Sequence, residues 1–228
     1  IFRAQKLAEL GELSAGVAHE IRNPLASIKG YAQVAMRTTD SGTQLHDDLN
    51  VILSEADRLE RILERFMTFA RPDTPEFSAC HLNIIIKETI DQISKGMQIG
   101  NINIRHRYTK NDLIFVDCNQ IKQVLFNLIL NAIQAMPKGG NIDLVTLLNE
   151  GSDIIEIHVI DNGEGISPEI QDKIFSPFFT TRDEGTGLGL AICSRIIENH
   201  KGILEVQSDV GIGTRIIIKL PLEKGISQ

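Results

Sequence analysis

The sequence predicts an α plus α/β protein: a helical hairpin over residues 1–70 followed by a mixed α/β sandwich over residues 78–228. Three observations predict it. Apolar residues recur at alternating three- and four-residue steps through the first 70 positions, with no period-two strand signal. RPDTPEF (71–77) then sets two prolines among acidic residues, the composition of a hinge. Beyond it, helical patterns interleave with short alternating runs bounded by glycine and proline.

The first helix carries its seam at Leu7, Leu10, Ser14, Val17, Ile21, Pro24, Ile28, Tyr31 and Ala35. The second carries Leu45, Leu49, Ile52, Ala56, Leu59, Leu63, Phe66 and Ala70. TTDSGT (38–43) lies between them and reads as a turn, which makes the pair a hairpin. Leu13, Leu25, Val34, Val51, Leu53, Ile62 and Met67 widen the stripes beyond what one hairpin can hide. The expected solution is a two-fold dimer forming a four-helix bundle; the competing one packs the hairpin on the second half of its own chain.

In the second half, residues 81–97 and 119–136 have helical periodicity, the latter stopped by Pro137 and Gly139-Gly140. Residues 102–108 and 113–117 read as strands. NIDLVTLLNE and SDIIEIHVID form a hairpin across Gly151. A loop-rich stretch follows, then a helix near 189–200, and finally strands ILEVQS and TRIIIKL joined by DVGIG.

Composition excludes several classes. The net charge of −7 argues against nucleic-acid binding, which needs a basic patch. No stretch approaches the roughly 18 apolar residues of a membrane span, and no signal peptide is visible. Cys80, Cys118 and Cys193 lack metal-type spacing; an odd number without a framework suits buried thiols in a reducing compartment. The chain opens at Ile1, already in helical pattern, and reads as a fragment whose upstream part is missing.

Five stretches carry candidate chemistry. HEIRNP (19–24) is not a zinc-protease motif, because Asn23 stands where HExxH needs a second histidine. Asn127 and Asn131 lie one helical turn apart, offering oxygen ligands to a hard cation such as Mg²⁺ or forming a polar network. Asp161-Asn162-Gly163-Glu164-Gly165 follows a strand, so the carboxylate can accept from an exocyclic amine while the glycines let backbone approach. IFSPFFTTR (174–182) is too apolar for a free loop and reads as a latch with Arg182 reaching a phosphate, or as a core-anchored loop. GTGLGLAI (185–192) opens a helix with Gly185, Gly187 and Gly189, whose bare N–H groups suit phosphate; it has neither the Rossmann context nor the Lys-Ser/Thr of a P-loop.

Taken in order, NxxxN, DxGxG, FxPFF and GxGxG resemble the N, G1, F and G2 boxes of bacterial sensor histidine kinases. HEIRNPL resembles their H box, and GIGT (211–214) their last glycine motif. A looser likeness, to kinases that initiate sporulation, rests on overall character and on no motif. The resemblance implies a dimerisation and histidine-phosphotransfer domain (1–70), a linker (71–77) and a GHKL (Bergerat) ATP-binding domain (78–228). It implies that Asp161 binds the adenine amine and that Asn131, with Asn127 nearby, holds Mg²⁺ against the triphosphate. Gly163 and Gly165 would shape the adenine side, with Thr214 supporting it. Residues 166–186 would be the ATP lid, with Gly185, Thr186, Gly187, Leu188 and Gly189 meeting the phosphates. A Lys or Arg often stands three residues beyond the second N-box Asn. Here it is Gln134, which leaves the cationic contact to Lys138 or Arg182.

His19 lies two positions after Val17, about 200° around a helix, and so is expected to face away from the bundle core. It would attack the γ-phosphorus, with Glu20 taking its proton, and the resemblance implies that Asn23, at i+4, positions a water that removes phosphate from the partner's aspartate. Pro24 is expected to kink the helix. Implied partners are a second copy through residues 1–70, a response-regulator receiver domain and a protein inhibitor on the bundle, with no nucleic acid. The fragment is expected in the cytoplasm, with anchorage of the full-length protein in the inner membrane left open. Rival readings are a GHKL ATPase, a serine-kinase anti-sigma factor and a dimeric signalling adaptor with a degenerate ATP site.

Overall fold

The computed structural model describes residues 2–70, 74–96, 100–149, 153–182 and 185–222; the side chains of residues 2–19, 65, 69 and 149 lie outside that description. The chain divides into two compact units, Ile1–Asp73 and Thr74–Gln228.

The first unit is the hairpin of α1 (Phe2–Arg37) and α2 (Gln44–Ala70). Its turn is fastened by hydroxyls. Thr38 and Thr39 donate to the Ala35 carbonyl at 3.0 and 2.8 Å, and Thr43 Oγ1 accepts from the His46 N–H at 3.3 Å. Lys29 bridges the helices to Asp57 at 2.6 Å and Glu60 at 2.9 Å. The helix runs uninterrupted through Pro24, and the Ser27 hydroxyl donates to the Asn23 carbonyl beside it at 3.1 Å.

The heptad stripes divide their labour. On α2 the positions seven apart, Leu49, Ala56, Leu63 and Ala70, are buried, while the alternate positions Leu45, Ile52 and Leu59 are exposed. On α1, Leu25 and Ala32 are buried, while the expected seam residues Ile21, Ile28 and Tyr31 are exposed, as is Val34. The α1 stripe that packs within the chain is therefore displaced from the expected seam. Two helices can cover only one side of each other, and the richer apolar stripe is left open.

The second unit comprises β1 (Ser78–His81), α3 (Leu82–Gly96), β2 (Ile102–Arg107), β3 (Leu113–Val116), α4 (Cys118–Gln134), β4 (Gly140–Asn149), β5 (Ile154–Asp161), α5 (Pro168–Gln171), α6 (Gly189–Asn199), β6 (Ile203–Asp209) and β7 (Gly213–Pro221). Five strands form one sheet in the order β2-β4-β5-β7-β6. The β2–β4 pair is parallel and the others antiparallel. β1 and β3 form a separate antiparallel pair. Ile121, Leu125 and Ile129, spaced by four on α4, are fully buried with Ile86 and Ile93 of α3, Ile197 of α6, and Ile142, Leu144, Ile155, Ile157 and Ile218 of the sheet. Along β5, Ile155, Ile157 and Val159 point into this core while Glu156 and His158 share the other face and bond each other at 2.8 Å.

Two short elements escape the sequence pattern. β1 has four residues, SACH, without alternation, and α5 is a single turn, too short for a helical period. The expectation of three thiols is also corrected. Cys80 and Cys118 are joined as a disulfide with their Cα atoms 6.2 Å apart, because the β1–β3 pairing brings β1 beside the start of α4. Cys193 alone is a free, buried thiol, which burial pushes up to about 12.

Candidate nucleotide site

The site grows from α4 and the ends of β5 and β7. Asp117 caps α4, its Oδ1 accepting from the N–H groups of Asn119 at 2.9 Å and Gln120 at 3.0 Å. Its Oδ2 accepts from the Glu76 N–H at 3.0 Å, and its own N–H donates to His200 Nε2 at 3.0 Å, at the C-terminal end of α6. α4 and α6 are thus registered against each other at this end.

Toward the other end of α4 stand Asn127 and Asn131, both half-buried. The two amides are not equivalent. The Asn127 side chain lies beside the Cys193 thiol on α6 and pulls its pKa back against burial, whereas Asn131 lies where Arg182 crosses, Arg182 Nη2 donating to its backbone carbonyl at 3.4 Å. Arg182 Nη1 also donates to Gln134 Oε1. The position that lacks a cation therefore seats one supplied by the loop, and Arg182 rather than the exposed Lys138 occupies the α4 C-terminus.

Asp161 ends β5 opposite Thr214 of β7. Its Oδ1 accepts from the Gly163 N–H at 2.9 Å and the Thr214 N–H at 3.2 Å. Among the described residues this leaves Oδ2 for a ligand donor. Burial holds the Asp161 carboxyl above the usual aspartate range; the two N–H groups and the Arg182 charge pull it back, and Glu164 pushes it further up. The glycines here are dictated by packing. A Cβ on Gly163 would lie 2.8 Å from the Ala135 carbonyl, and one on Gly213 would lie 2.1 Å from the Asp161 carbonyl.

Ser208 and Gln171 belong to this framework and were missed by sequence reasoning. Ser208 Oγ accepts from the Ile166 N–H at 2.8 Å, donates to the Gly213 carbonyl at 2.8 Å and meets Thr214 Oγ1 at 3.0 Å. Gln171 Nε2 donates to the carbonyls of Ile166 and Ser208 at 2.9 and 2.8 Å. The one available signal for Ser208 was its place opposite Thr214 across the last hairpin.

The loop before α6 closes on itself. The Phe178 N–H donates to the Gly187 carbonyl at 3.0 Å, and Gly187 has φ +65°, with a Cβ position 2.4 Å from the Phe178 backbone. Gly185 donates its N–H to the Arg182 carbonyl at 3.1 Å. Thr186 Oγ1 accepts from the N–H of the fully buried Leu188 at 3.4 Å. Gly189 begins α6, and nothing lies within 4 Å of where its Cβ would be. Gly187 is required by the protein's own backbone, whereas Gly189 borders open space at a helix N-terminus, as an approaching anion needs.

In the first unit, His19, Glu20 and Asn23 lie on α1, with Glu20 and Asn23 exposed. The outward expectation for His19 concerns a side chain outside the described residues. No helix among the described residues is long and apolar enough to cross a membrane, and none of their His, Cys, Asp and Glu side chains cluster as a metal site. Amide oxygens, the donors expected here, fit Mg²⁺ held jointly with phosphate oxygens.

Residues 9–75 match the family model of the His Kinase A (phospho-acceptor) domain, and residues 116–224 that of the histidine kinase-, DNA gyrase B- and HSP90-like ATPase. The sensor histidine kinase ZraS of Salmonella typhi is 41% identical over 223 residues, covering 96% of this chain and 47% of ZraS. Sporulation kinase A of Bacillus subtilis is 39% identical over 227 residues, covering 97% of this chain and 36% of that protein. The chain thus spans half or less of these curated relatives. Among solved structures, histidine kinase ThkA in complex with the response regulator protein TrrA is similar with a TM-score of 0.71 at 32% identity, over 97% of this chain and 64% of that one.

The glycines can be separated by experiment. Gly187→Ala should lower the melting temperature, whereas Gly189→Ala should leave it unchanged or slightly raised and weaken ATP binding at least about tenfold. Equal melting loss in both would refute the assignment. For Asp161 the sign follows from its raised pKa. Its ionised form costs stability that is absent below the ordinary value of 3.8 and sets in as pH rises through the folded value. Asp161→Asn should therefore melt no lower than the parent at neutral pH yet lose ATP binding, and the parent's ATP affinity should fall on acidification before an ordinary aspartate would protonate. Calorimetry across pH checks both; retained binding in the variant would overturn the role of Asp161.

Proposed function

The chain belongs to the sensor histidine kinases, and on that premise we propose that it is the catalytic core that autophosphorylates His19 from Mg-ATP. The phosphoryl group then passes to an aspartate of a response-regulator receiver domain. The observation that carries this is Arg182 on the Asn131 carbonyl while its charge acts on the half-engaged Asp161 carboxylate, with an open helix N-terminus at Gly189 a few residues on in the same loop. In this reading residues 1–70 dimerise and carry the histidine, 71–77 link, and 78–228 bind ATP.

Asp161 Oδ2 accepts the adenine amine, and Gly163, Gly165 and Thr214 hold that carboxylate and the strand ends around it. The segment Gly185, Thr186, Gly187, Leu188 and Gly189 meets the phosphates, and Arg182, seated on Gln134, adds the cation. Asn131, with Asn127 behind it, would hold Mg²⁺. When bound, Mg²⁺ would supply charge neutralisation to the triphosphate. The neutral imidazole of His19 forms a P–N bond as the bond from phosphorus to the ADP oxygen breaks, and Glu20 takes the imidazole proton. Such transfer needs mainly positioning and charge stabilisation, which is what these residues provide. Asn23 would orient a water toward the partner's aspartyl phosphate, releasing inorganic phosphate and giving a phosphatase activity. A receiver domain as partner is supported by the ThkA–TrrA complex. The exposed stripe of Ile21, Ile28, Tyr31, Leu45, Ile52 and Leu59 supports a second copy completing a four-helix bundle.

Incubation with γ-labelled ATP and Mg²⁺ tests the reaction. Acid-labile, alkali-stable label on the parent and none on His19→Gln is expected; ATP consumption without protein label would replace this reading with an ATPase. The dimer is tested by Leu59→Glu. Sedimentation should show a monomer of undiminished helix content, and an unchanged dimer mass would show that the bundle uses another face.

A further inference from the structure

The segment by which the chain enters the second unit is fastened to α4 at several points within a few residues. The Glu76 N–H bonds Asp117 Oδ2 at 3.0 Å, and Phe77 stacks on Phe115 and lies against His200, ring centroids 6.0 and 4.9 Å apart. β1 pairs with β3 over four residues, and Cys80 of β1 is joined to Cys118, the first residue of α4. The sulfurs differ in access. Cys80 is 4% exposed, whereas Cys118 is half-exposed. The Ser78 hydroxyl lies 3.6 Å from Cys80 Sγ and 3.8 Å from Cys118 Sγ, within reach of either. Cys193, fully buried against α4, takes no part.

We propose that Cys80 and Cys118 are a reversible thiol–disulfide modification site, a clasp that oxidation closes between the entry strand β1 and α4. The oxidant is a low-molecular-weight disulfide of the glutathione type. The Cys118 thiolate attacks one of its sulfurs, forming a mixed disulfide and expelling a thiolate. The Cys80 thiolate then attacks the Cys118 sulfur and expels the second, so two cysteine protons leave with two reduced thiols and the protein is oxidised by two electrons. Reduction by excess thiol runs the same steps backward. Ser78 supplies a hydroxyl donor to whichever sulfur is the thiolate.

The consequence follows from position. With the clasp open, β1 is held by non-covalent contacts only, its short ladder, the Glu76–Asp117 bond, the Phe77 packing and the His81–Asp112 contact, and can release from β3 and α4. With the clasp closed, a covalent link holds β1 to the first residue of α4. Asn131 lies thirteen residues beyond Cys118 along α4, about 20 Å at the helical rise, so the clasp acts on the strand by which the chain enters the second unit and not on the nucleotide contacts. This last effect rests on the kinase reading; the clasp itself does not.

The test uses the whole chain equilibrated in reduced or oxidised glutathione. The expected result is three reactive thiols when reduced and one when oxidised, counted after unfolding in a trapping reagent. Oxidation should slow amide exchange at residues 78–81 by about tenfold or more. It should slow His19 labelling by about threefold or more at saturating ATP with ATP affinity unchanged. Cys80→Ser, checked by its melting curve, should lose the dependence of both readouts on glutathione. Three thiols persisting in oxidised glutathione would overturn the site, and a disulfide that alters neither exchange nor labelling would overturn the clasp. If neither form labels His19, the kinase reading fails, while the thiol count and the exchange of 78–81 still decide the clasp.

Discussion

The second unit depends on α4 being held at both ends. Its middle is secured by the fully buried Ile121, Leu125 and Ile129, which seal the helix layer onto the sheet. Hydrophobic burial of that kind is non-directional and leaves a helix free to slide or rotate slightly. Direction comes from the polar ends. Asp117 saturates the first turn and at the same time takes the Glu76 N–H, while the Ala135 carbonyl at the far end accepts from the Glu164 N–H at 3.3 Å. The Glu164–Ala135 bond in particular ties the C-terminal end of α4, near Asn131, to the turn that follows Asp161 at the end of β5.

A carboxylate buried at a strand end would ordinarily be a liability, because desolvation disfavours its charge. Asp161 offsets that cost with two backbone donors and the nearby Arg182. The same arrangement makes it discriminating, since its second oxygen is partly desolvated and an amine donor there is worth more than in water. Gln134 is consistent with this economy. A fixed cation there would stand on α4 permanently, whereas a neutral amide seats a cation carried by the loop that precedes α6, so charge can arrive with the loop.

The hairpin obeys a different constraint. Two helices have apolar stripes wider than one pairwise contact, and geometry lets each conceal only alternate heptad positions from solvent. Leu49, Ala56 and Leu63 are covered within the chain, and Leu45, Ile52 and Leu59 are not. A sequence that spends this much apolar surface on an uncovered face is specifying an association, and the histidine helix is part of the same surface.

The sequence by itself determined the class of both units, the turn at 38–43, α4 and α6, the long strands and the ordered nucleotide motifs. These are features written in period and in glycine, proline and asparagine chemistry that neighbours in the chain enforce. Only the tertiary structure decided which heptad stripe packs within the chain, because α1 offers two apolar stripes and the richer one is not the one that packs. It also decided the parallel β2–β4 pairing, the role of Ser208 and Gln171 as ties between the loop and the last hairpin, the turning of Asn127 toward Cys193, and the meeting of Cys80 with Cys118. Each joins residues tens of positions apart through a polar or sulfur contact. Such contacts leave no periodic trace, since a single hydrogen bond or S–S link constrains one pair of atoms and no neighbouring residues.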